Sequence, residues 1–242
     1  MSETALIIAM LVPCLVIAIV FHEVAHGLMA KLLGDPTASD LGRLSLNPIR
    51  HVDPFGTLLV PGALALAGGP VFGWAKPVPV VKARLDNPRW GMMAVAAAGP
   101  GSNFVLALVG AIMLGLAAPS AMDFAASGMG LPEFQDAQGE ILLLPTGLFF
   151  FIIINVFLGL FNLLPIPPFD GSHIVGGLLP KSLRGHWERL QGLGMVLILG
   201  LVAYTWIFGA DWLAATLGAP INYVLAFYLE IARMVALTLG AA

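Results

Sequence analysis

The segment His22-Glu23-Val-Ala-His26 combines residue types and a spacing that could bind a metal ion. Positions i and i+4 of a helix lie on one face about one turn apart, so both imidazoles can direct a nitrogen at the same ion. Glu23 is displaced around the helix, where its carboxylate can reach a water molecule beside the ion without ligating it. The composition of the chain gives such a pattern by chance in only about 0.3% of cases. We therefore predict a metal centre with a neighbouring base.

A zinc site of this kind needs a third protein ligand, and Asp170 is the best candidate. It lies in the segment Asn-Leu-Leu-Pro-Ile-Pro-Pro-Phe-Asp-Gly at 162–171, which closes an apolar run. Three prolines break the helix there, and irregular backbone at membrane depth is tolerated where it lines a cavity. His51 and His173 are competing third ligands. An ordinary exit loop with a solvated aspartate is the alternative interpretation of this segment.

A third motif, Gly-Pro-Gly-Ser-Asn at 99–103, lies inside another apolar run. Small residues permit close approach of helices, and Asn103 could donate a hydrogen bond across a helical bundle. The residues alone leave packing and function equally open for this motif.

The composition predicts that these motifs are embedded in a membrane. Of 242 residues, 59% are hydrophobic and 10% are charged, whereas soluble domains carry about 25% charged residues. The mean hydropathy is +0.93. Net charge is −3 without a basic block, which argues against nucleic-acid binding, and the lone Cys14 has no intrachain disulfide partner. Ionisable groups at membrane depth are costly, so the motif at 22–26 is a functional candidate.

We predict an all-α polytopic membrane protein, a bundle of five to six transmembrane helices with a short cytoplasmic-side β or re-entrant segment. One membrane-embedded domain would cover 1–242, with the motif-bearing core at about 4–190 and C-terminal helices at about 193–239. The first run lacks a basic n-region and is interpreted as a retained helix rather than a signal peptide. The predicted spans are residues 4–33, 91–118, 141–164, 193–209 and 220–239.

The distribution of Lys and Arg predicts the orientation. These residues cluster in three loops, whereas 119–140 contains acidic residues and neither Lys nor Arg. The positive-inside rule places the basic loops in the cytoplasm, which favours a proline- and glycine-containing segment 55–74 that enters and leaves by that face. A full crossing by this segment, with some basic loops on the other side, is the alternative. Lys31 marks the cytoplasmic interface about 13 Å beyond His22, so the metal would lie inside the bilayer nearer the cytoplasm. Alternating apolar and polar residues at 43–47 predict one short strand.

Together the three motifs resemble those of the site-2 proteases, which are zinc-dependent intramembrane endopeptidases. The segments at 22–26, 99–103 and 162–171 match the metal motif, the Gly-Pro-x-x-Asn motif and the Asn…Pro…Asp-Gly motif of that family in order and spacing. The chain resembles a compact form that lacks inserted PDZ or CBS domains, compatible with a bacterial inner membrane.

The resemblance implies roles for individual residues. His22, His26 and Asp170 would bind one zinc ion per chain, Glu23 would be the catalytic base, and Asn162 would position the substrate or its developing oxyanion. The substrate would itself be a membrane-spanning helix, cut within or near the bilayer in regulated intramembrane proteolysis. Cleavage requires local unwinding of that helix, and the strand predicted at 43–47 could pair with the unwound segment.

Two other classes of function remain open from the sequence. A metal-ion channel or transporter could use the same His, Glu and Asp cluster as a transient site, although the paired repeats typical of transporters are not visible. The chain could also be a catalytically silent membrane protein in which zinc only stabilises the fold.

Overall fold

The computed structural model describes residues 3–66, 73–117, 124–126, 132–135, 138–209 and 212–238. The α-helices are α1 Glu3–Leu32, α2 Thr37–Asp40, α3 Val60–Leu66, α4 Pro88–Ala117, α5 Leu143–Asn162, α6 Asp170–Leu178, α7 Lys181–Gly192, α8 Gly194–Phe208 and α9 Trp212–Thr238. Short 3₁₀ helices cover Pro48–His51 and Lys82–Arg84, and a π-helix covers Pro54–Leu59. Strands β1 Phe124–Ala126 and β2 Pro132–Phe134 pair antiparallel.

Four helices within the described residues are long and apolar enough to cross a membrane: Ala5–Leu32, Pro88–Ala117, Leu143–Asn162 and Ala214–Thr238. A fifth candidate is the pair α7 and α8, which is bent by 60° at the break between them. The protein is therefore an all-α polytopic membrane protein, as predicted. The helix bounds differ from the predicted spans mainly at α9, which begins at Trp212 and includes Pro220.

Helix α1 ends close to the predicted stop. Gly34 has a φ of +100°, a conformation that favours glycine and terminates a helix. Asp35 and Pro36 follow and precede the short helix α2. The apolar run of α1 thus ends in a polar turn next to Lys31.

The two ends of the segment predicted to be re-entrant lie side by side. Trp74 donates its backbone N–H to Gly56 O over 3.0 Å, and Thr57 donates its hydroxyl to Trp74 O over 3.0 Å. Residues 67–72 lie outside the described part of the chain. Adjacent ends are what a segment entering and leaving by one face requires, and the re-entrant interpretation stays a prediction.

The strand predicted at 43–47 is wrong, because these residues form a loop without strand pairing. Arg50 Nη1 donates to Gly42 O over 2.8 Å, and His51 Nε2 donates to Ser45 O over 2.8 Å. These two side chains thus donate hydrogen bonds to backbone carbonyls that would otherwise be available to a neighbouring strand. The described strands instead lie in the acidic loop, whose Asp123 and Asp136 are outside the described residues.

The chain divides into two compact units. The first comprises Met1–Ala18, Asn103–Leu158 and Ala219–Ala242, and the second comprises Ile19–Ser102 and Gly159–Gly218. Asn103 is fully buried in the first unit, where its amide donates to Ala18 O and to Asn155 Oδ1 over 3.2 and 2.9 Å. Both histidines of the first motif and Asp170 belong to the second unit.

Candidate metal centre

Helix α1 presents His22 and His26 on one face, one turn apart. Their Nε2 atoms are 3.0 Å apart, and the rings are nearly perpendicular with centroids separated by 4.6 Å. Both side chains are largely buried, with 9% and 12% of their surfaces exposed. Two ring nitrogens therefore converge on one point, as the spacing predicts.

Asp170 brings a carboxylate to the same point. It is the first residue of α6, after a proline-containing connection from α5 that includes a cis Pro167–Pro168 peptide. Its Oδ2 lies 3.1 Å from His22 Nε2 and 3.3 Å from His26 Nε2. Among the described residues no hydrogen-bond partner in acceptable geometry satisfies this buried oxygen.

The separations of these three atoms fit zinc. A tetrahedral zinc ion with nitrogen and oxygen ligands at about 2.0–2.1 Å has ligand atoms about 3.3 Å apart. The observed separations of 3.0, 3.1 and 3.3 Å approach this edge length. A carboxylate oxygen without a hydrogen-bond partner beside two imidazole nitrogens is also a suitable donor set for this ion. The Asp170 side chain is 17% exposed, whereas its Oδ2 atom is buried.

Residues of α4 contact both imidazole rings, and one of these contacts fixes the orientation of His26. His26 Nδ1 lies 2.7 Å from Val95 O on α4, so the protonated Nδ1 donates and Nε2 is left with a lone pair for a metal. Gly99, the first residue of the Gly-Pro-Gly-Ser-Asn motif, packs directly on both rings. A Cβ at this position would lie 2.5 Å from His26 Nε2 and 2.6 Å from His22 Cε1. Gly99 thus gives the motif a role in shaping the site, whereas Asn103 of the same motif donates hydrogen bonds within the first unit.

Glu23 is half-buried, and its carboxylate makes one defined contact. Its Oε2 accepts a hydrogen bond of 2.8 Å from the backbone N–H of Val78. Pro77 and Pro79 flank this residue, so Val78 has the one backbone N–H of this tripeptide. The side chain of Val78 packs close to Gly27, next to His26 on α1. The segment at 77–79 therefore lies against the helix that carries the candidate base.

The other candidate residues are not members of this cluster. His51 is buried and bonded to Ser45 O, and His173 Nδ1 accepts a hydrogen bond from the Gln191 amide over 3.2 Å. Asn162 is the half-buried last residue of α5, and its role in substrate positioning stays a prediction. In the part of the chain that the structure describes, the potential metal-ligand cluster is His22, His26 and Asp170, with ligand atoms all within 4.8 Å.

Sequence reasoning missed Val78, Val95 and the contact of Gly99 with the imidazoles. Val78 and Val95 act through backbone atoms, which carry no residue-type signal. Gly99 did carry a signal, because a motif of small residues in a span points to close packing, but not to what is packed.

Comparison with known proteins identifies relatives over most of the chain. Residues 10–206 match the family described as peptidase family M50. The chain is 38% identical over 192 residues to "Putative zinc metalloprotease YwhC" of Bacillus subtilis (strain 168), covering 79% of this chain and 78% of that protein. No solved structure matches.

Proposed function

The chain belongs to peptidase family M50, and from this premise we propose that it is an intramembrane zinc endopeptidase that hydrolyses peptide bonds of membrane-spanning helices in regulated intramembrane proteolysis. The family makes the protein a membrane metallopeptidase and implies a metal. The observation that carries the finer proposal is the convergence of two histidine nitrogens and one carboxylate oxygen within 3.3 Å of one another.

We assign His22, His26 and Asp170 as the ligands of one zinc ion per chain. Their donor types and separations suit tetrahedral zinc with one position left for water or substrate. When bound, zinc would supply Lewis acidity at the scissile carbonyl and lower the pKa of adjacent water. The Val95 carbonyl supports the set by holding His26 in the tautomer that ligates through Nε2.

Glu23 serves as the general base and then the general acid. It follows His22 on α1, close to the ligands but outside the ligand set. Its carboxylate would accept a proton from the attacking water and deliver that proton to the nitrogen of the leaving amine. The hydrogen bond from Val78 holds one of its two oxygens, which limits the orientations the carboxylate can adopt.

Asn162 would position the substrate or its developing oxyanion. The supporting observation is its location at the end of α5, where the chain breaks into the proline-containing connection that leads to Asp170. A substrate helix has its carbonyls in internal hydrogen bonds, so it must unwind locally before one of them can reach the site.

The proposed setting is a bacterial inner (cell) membrane, with the site in the bilayer nearer the cytoplasm. The relative from Bacillus subtilis and the loops rich in Lys and Arg support this setting. A metal-ion channel or transporter remains the alternative from residues alone, and the family match does not favour it.

Cleavage by wild type and by Glu23→Gln tests the proposal. The proteins are reconstituted in liposomes with a panel of single-span helices that carry a terminal fluorophore, and zinc per chain is measured in parallel. We expect wild type to cleave at least one helix, and Glu23→Gln to lose about 10²- to 10⁴-fold in kcat while retaining zinc. His186→Gln, which changes an exposed histidine of α7, is the matched control and should keep both properties.

Two outcomes would overturn the assignments. Cleavage by Glu23→Gln at the wild-type rate would remove Glu23 as the base. Absence of cleavage by wild type across the panel, together with zinc flux into the liposomes that Asp170→Asn abolishes, would favour the transporter. If Glu23→Gln is inactive and retains zinc, identification by mass spectrometry of the membrane proteins that it retains would name the substrate.

A further inference from the structure

Beside the metal centre, the second unit contains a cavity of about 220 Å³ that none of the proposed catalytic steps uses. Its walls come from α4, α6, α7 and the 3₁₀ helix Lys82–Arg84. The side chains that give it chemical character are Lys82, Arg89, His173, Arg184, Trp187 and Glu188. We infer that this cavity is a binding site for a phosphate group, as found on an anionic phospholipid head group or a soluble phosphate monoester.

The charge of the lining favours an anion. Three cationic side chains face the cavity with one carboxylate, Glu188, which lies 3.3 Å from Lys82 Nζ. Both members of that pair are more than half exposed, so their attraction is weak and screened by water. The monoanionic phosphodiester of a lipid would offset half of the excess of two positive charges that remains, and a dianionic phosphate monoester would offset all of it.

Two guanidinium groups are held in place through one nitrogen each. Arg89 Nε donates to Gly177 O over 2.5 Å, and Arg184 Nε donates to Leu179 O over 2.9 Å. Within the described part of the chain, neither guanidinium lies within 4 Å of a carboxylate oxygen. Each can thus present its terminal N–H groups to a ligand with little loss of side-chain entropy, and planar guanidinium groups match phosphate oxygens well.

The parts of the cavity wall that come from α4, α6 and α7 are closely packed against one another. Gly176 and Gly177 on α6 permit the approach of Trp187 from α7 and of Met93 from α4, because a Cβ at either glycine would overlap those side chains. Trp187 Nε1 donates to Ser172 O over 2.8 Å and so fixes its ring beside the cavity.

His173 contributes a neutral group to the lining. Burial lowers the pKa of its imidazole, and the charge of Lys82 acts in the same direction although that of Asp170 opposes it. A neutral imidazole can donate one hydrogen bond to a phosphate oxygen without adding further positive charge. His173 also lies one turn along α6 from Asp170, so an occupied cavity would adjoin the metal centre.

The size and position of the cavity suit a lipid head group. It is larger than the ~30 Å³ of a water molecule and smaller than the ~300 Å³ at which pockets for drug-sized ligands begin. Helix α7 is followed by the apolar helix α8, and the chain bends by 60° between them. On α7, Leu183 and Leu190 are exposed beside basic residues. Such a helix is typical of the membrane interface, where phosphate groups of lipids are concentrated.

Binding measurements on the full chain separate the two sources of phosphate. Native mass spectrometry of the detergent-solubilised protein compares phosphatidylglycerol with phosphatidylcholine, and calorimetry measures binding of glycerol 3-phosphate. We expect one saturable phosphate ligand per chain and an affinity reduced about tenfold in Arg184→Gln, since a charge-assisted hydrogen bond is lost. Arg189→Gln, which changes an exposed cation of the same helix, should bind as wild type does.

Lys82→Gln tests the same cavity from a different element, so the proposal stays testable if Arg184→Gln does not fold. If both cavity variants lose affinity for phosphatidylglycerol alone, the site binds a lipid. If they lose affinity for glycerol 3-phosphate, the site binds a soluble ligand. Equal losses in Arg189→Gln and the cavity variants would indicate attraction to surface charge and overturn the proposal. So would the absence of binding of both phosphate ligands by wild type.

Discussion

Val78 donates its backbone N–H to the Glu23 carboxylate over 2.8 Å, which joins the Pro77-Val78-Pro79 segment to the helix that carries the histidine pair. Prolines on both sides lack an N–H group, so Val78 alone can donate at this point of the chain. A hydrogen bond to a charged group stabilises one orientation of that group. Through this contact the segment orients the Glu23 carboxylate, which its composition alone does not indicate.

Removal of this donor should impair turnover more than metal binding. In Val78→Pro the N–H is lost, and we expect kcat for a cleaved helix to fall about 10- to 150-fold because a hydrogen bond to a carboxylate contributes about 1.5–3 kcal/mol. Zinc per chain should remain at one, since His22, His26 and Asp170 are unchanged. Initial rates over a range of substrate densities in liposomes, with zinc analysis of the same samples, provide the measurement.

Val78→Ala is the matched control for that experiment. It keeps the N–H and removes the side chain that packs beside Gly27, so it reports the packing contribution alone. If Val78→Ala lowers kcat as much as Val78→Pro does, the hydrogen bond to Glu23 has no catalytic role.

Side-chain patterns in the sequence predicted the candidate metal ligands, whereas contacts made by backbone groups were not predictable. Helical periodicity places His22 and His26 together, and three prolines indicate that the chain breaks before Asp170. Backbone groups such as Val78 N–H carry no comparable signature in the sequence. The wrong strand at 43–47 has a related cause, since alternation cannot show that Arg50 and His51 side chains will bond to the loop carbonyls.

Gly99 should be essential for zinc affinity although it cannot ligate a metal. A methyl group in Gly99→Ala would overlap both imidazole rings, so one ring must rotate and the ligand geometry is lost. We expect the affinity for zinc to fall by at least about tenfold, as for other changes that disturb ligand orientation. Competition with a chelator of known affinity measures this change.

Gly101→Ala provides the comparison on the same helix, because a Cβ there has no atom within 4 Å. It should bind zinc as wild type does and match it in helical content. Equal zinc affinities for Gly99→Ala and wild type would contradict the close packing of Gly99 on the imidazoles.

Gly171 should be needed to place Asp170. A Cβ at Gly171 would overlap the carbonyl groups of Leu163 and Leu164, which are backbone atoms just after α5 and cannot move as a side chain can. In Gly171→Ala, the start of α6 must shift away and take the Asp170 carboxylate with it. We expect loss of zinc, or a lower unfolding temperature if the shift spreads to neighbouring residues.

Differential scanning fluorimetry with and without added zinc measures both effects. Gly185→Ala on α7, where a Cβ meets no atom within 4 Å, should preserve the stabilisation by zinc. If Gly171→Ala is stabilised by zinc as much as wild type is, Asp170 either is not a ligand or does not depend on the contact with α5.

Asp35 holds the chain three residues beyond Val78, at Val81. It is fully buried after α1, where its carboxylate accepts hydrogen bonds from Val81 N–H over 2.6 Å and from the Thr37 hydroxyl. Burial alone would raise the pKa of Asp35, but these hydrogen bonds outweigh burial and lower it. A carboxyl group with a lowered pKa in the folded state stabilises that state most when it is ionised.

Asp35→Asn should therefore destabilise the protein in a pH-dependent way. Above the usual aspartate pKa of about 3.9, the free energy of unfolding of the variant should be about 2 kcal/mol lower than that of wild type. The variant should therefore unfold at a lower temperature. As the pH falls through the lowered pKa of the folded state, wild type loses this advantage and the difference should shrink. Thermal unfolding in detergent between pH 7 and pH 3 measures it, with Asp40→Asn as a control for an exposed carboxylate of α2. A difference that is constant with pH would mean that the charge of Asp35 contributes nothing to the attachment of this segment.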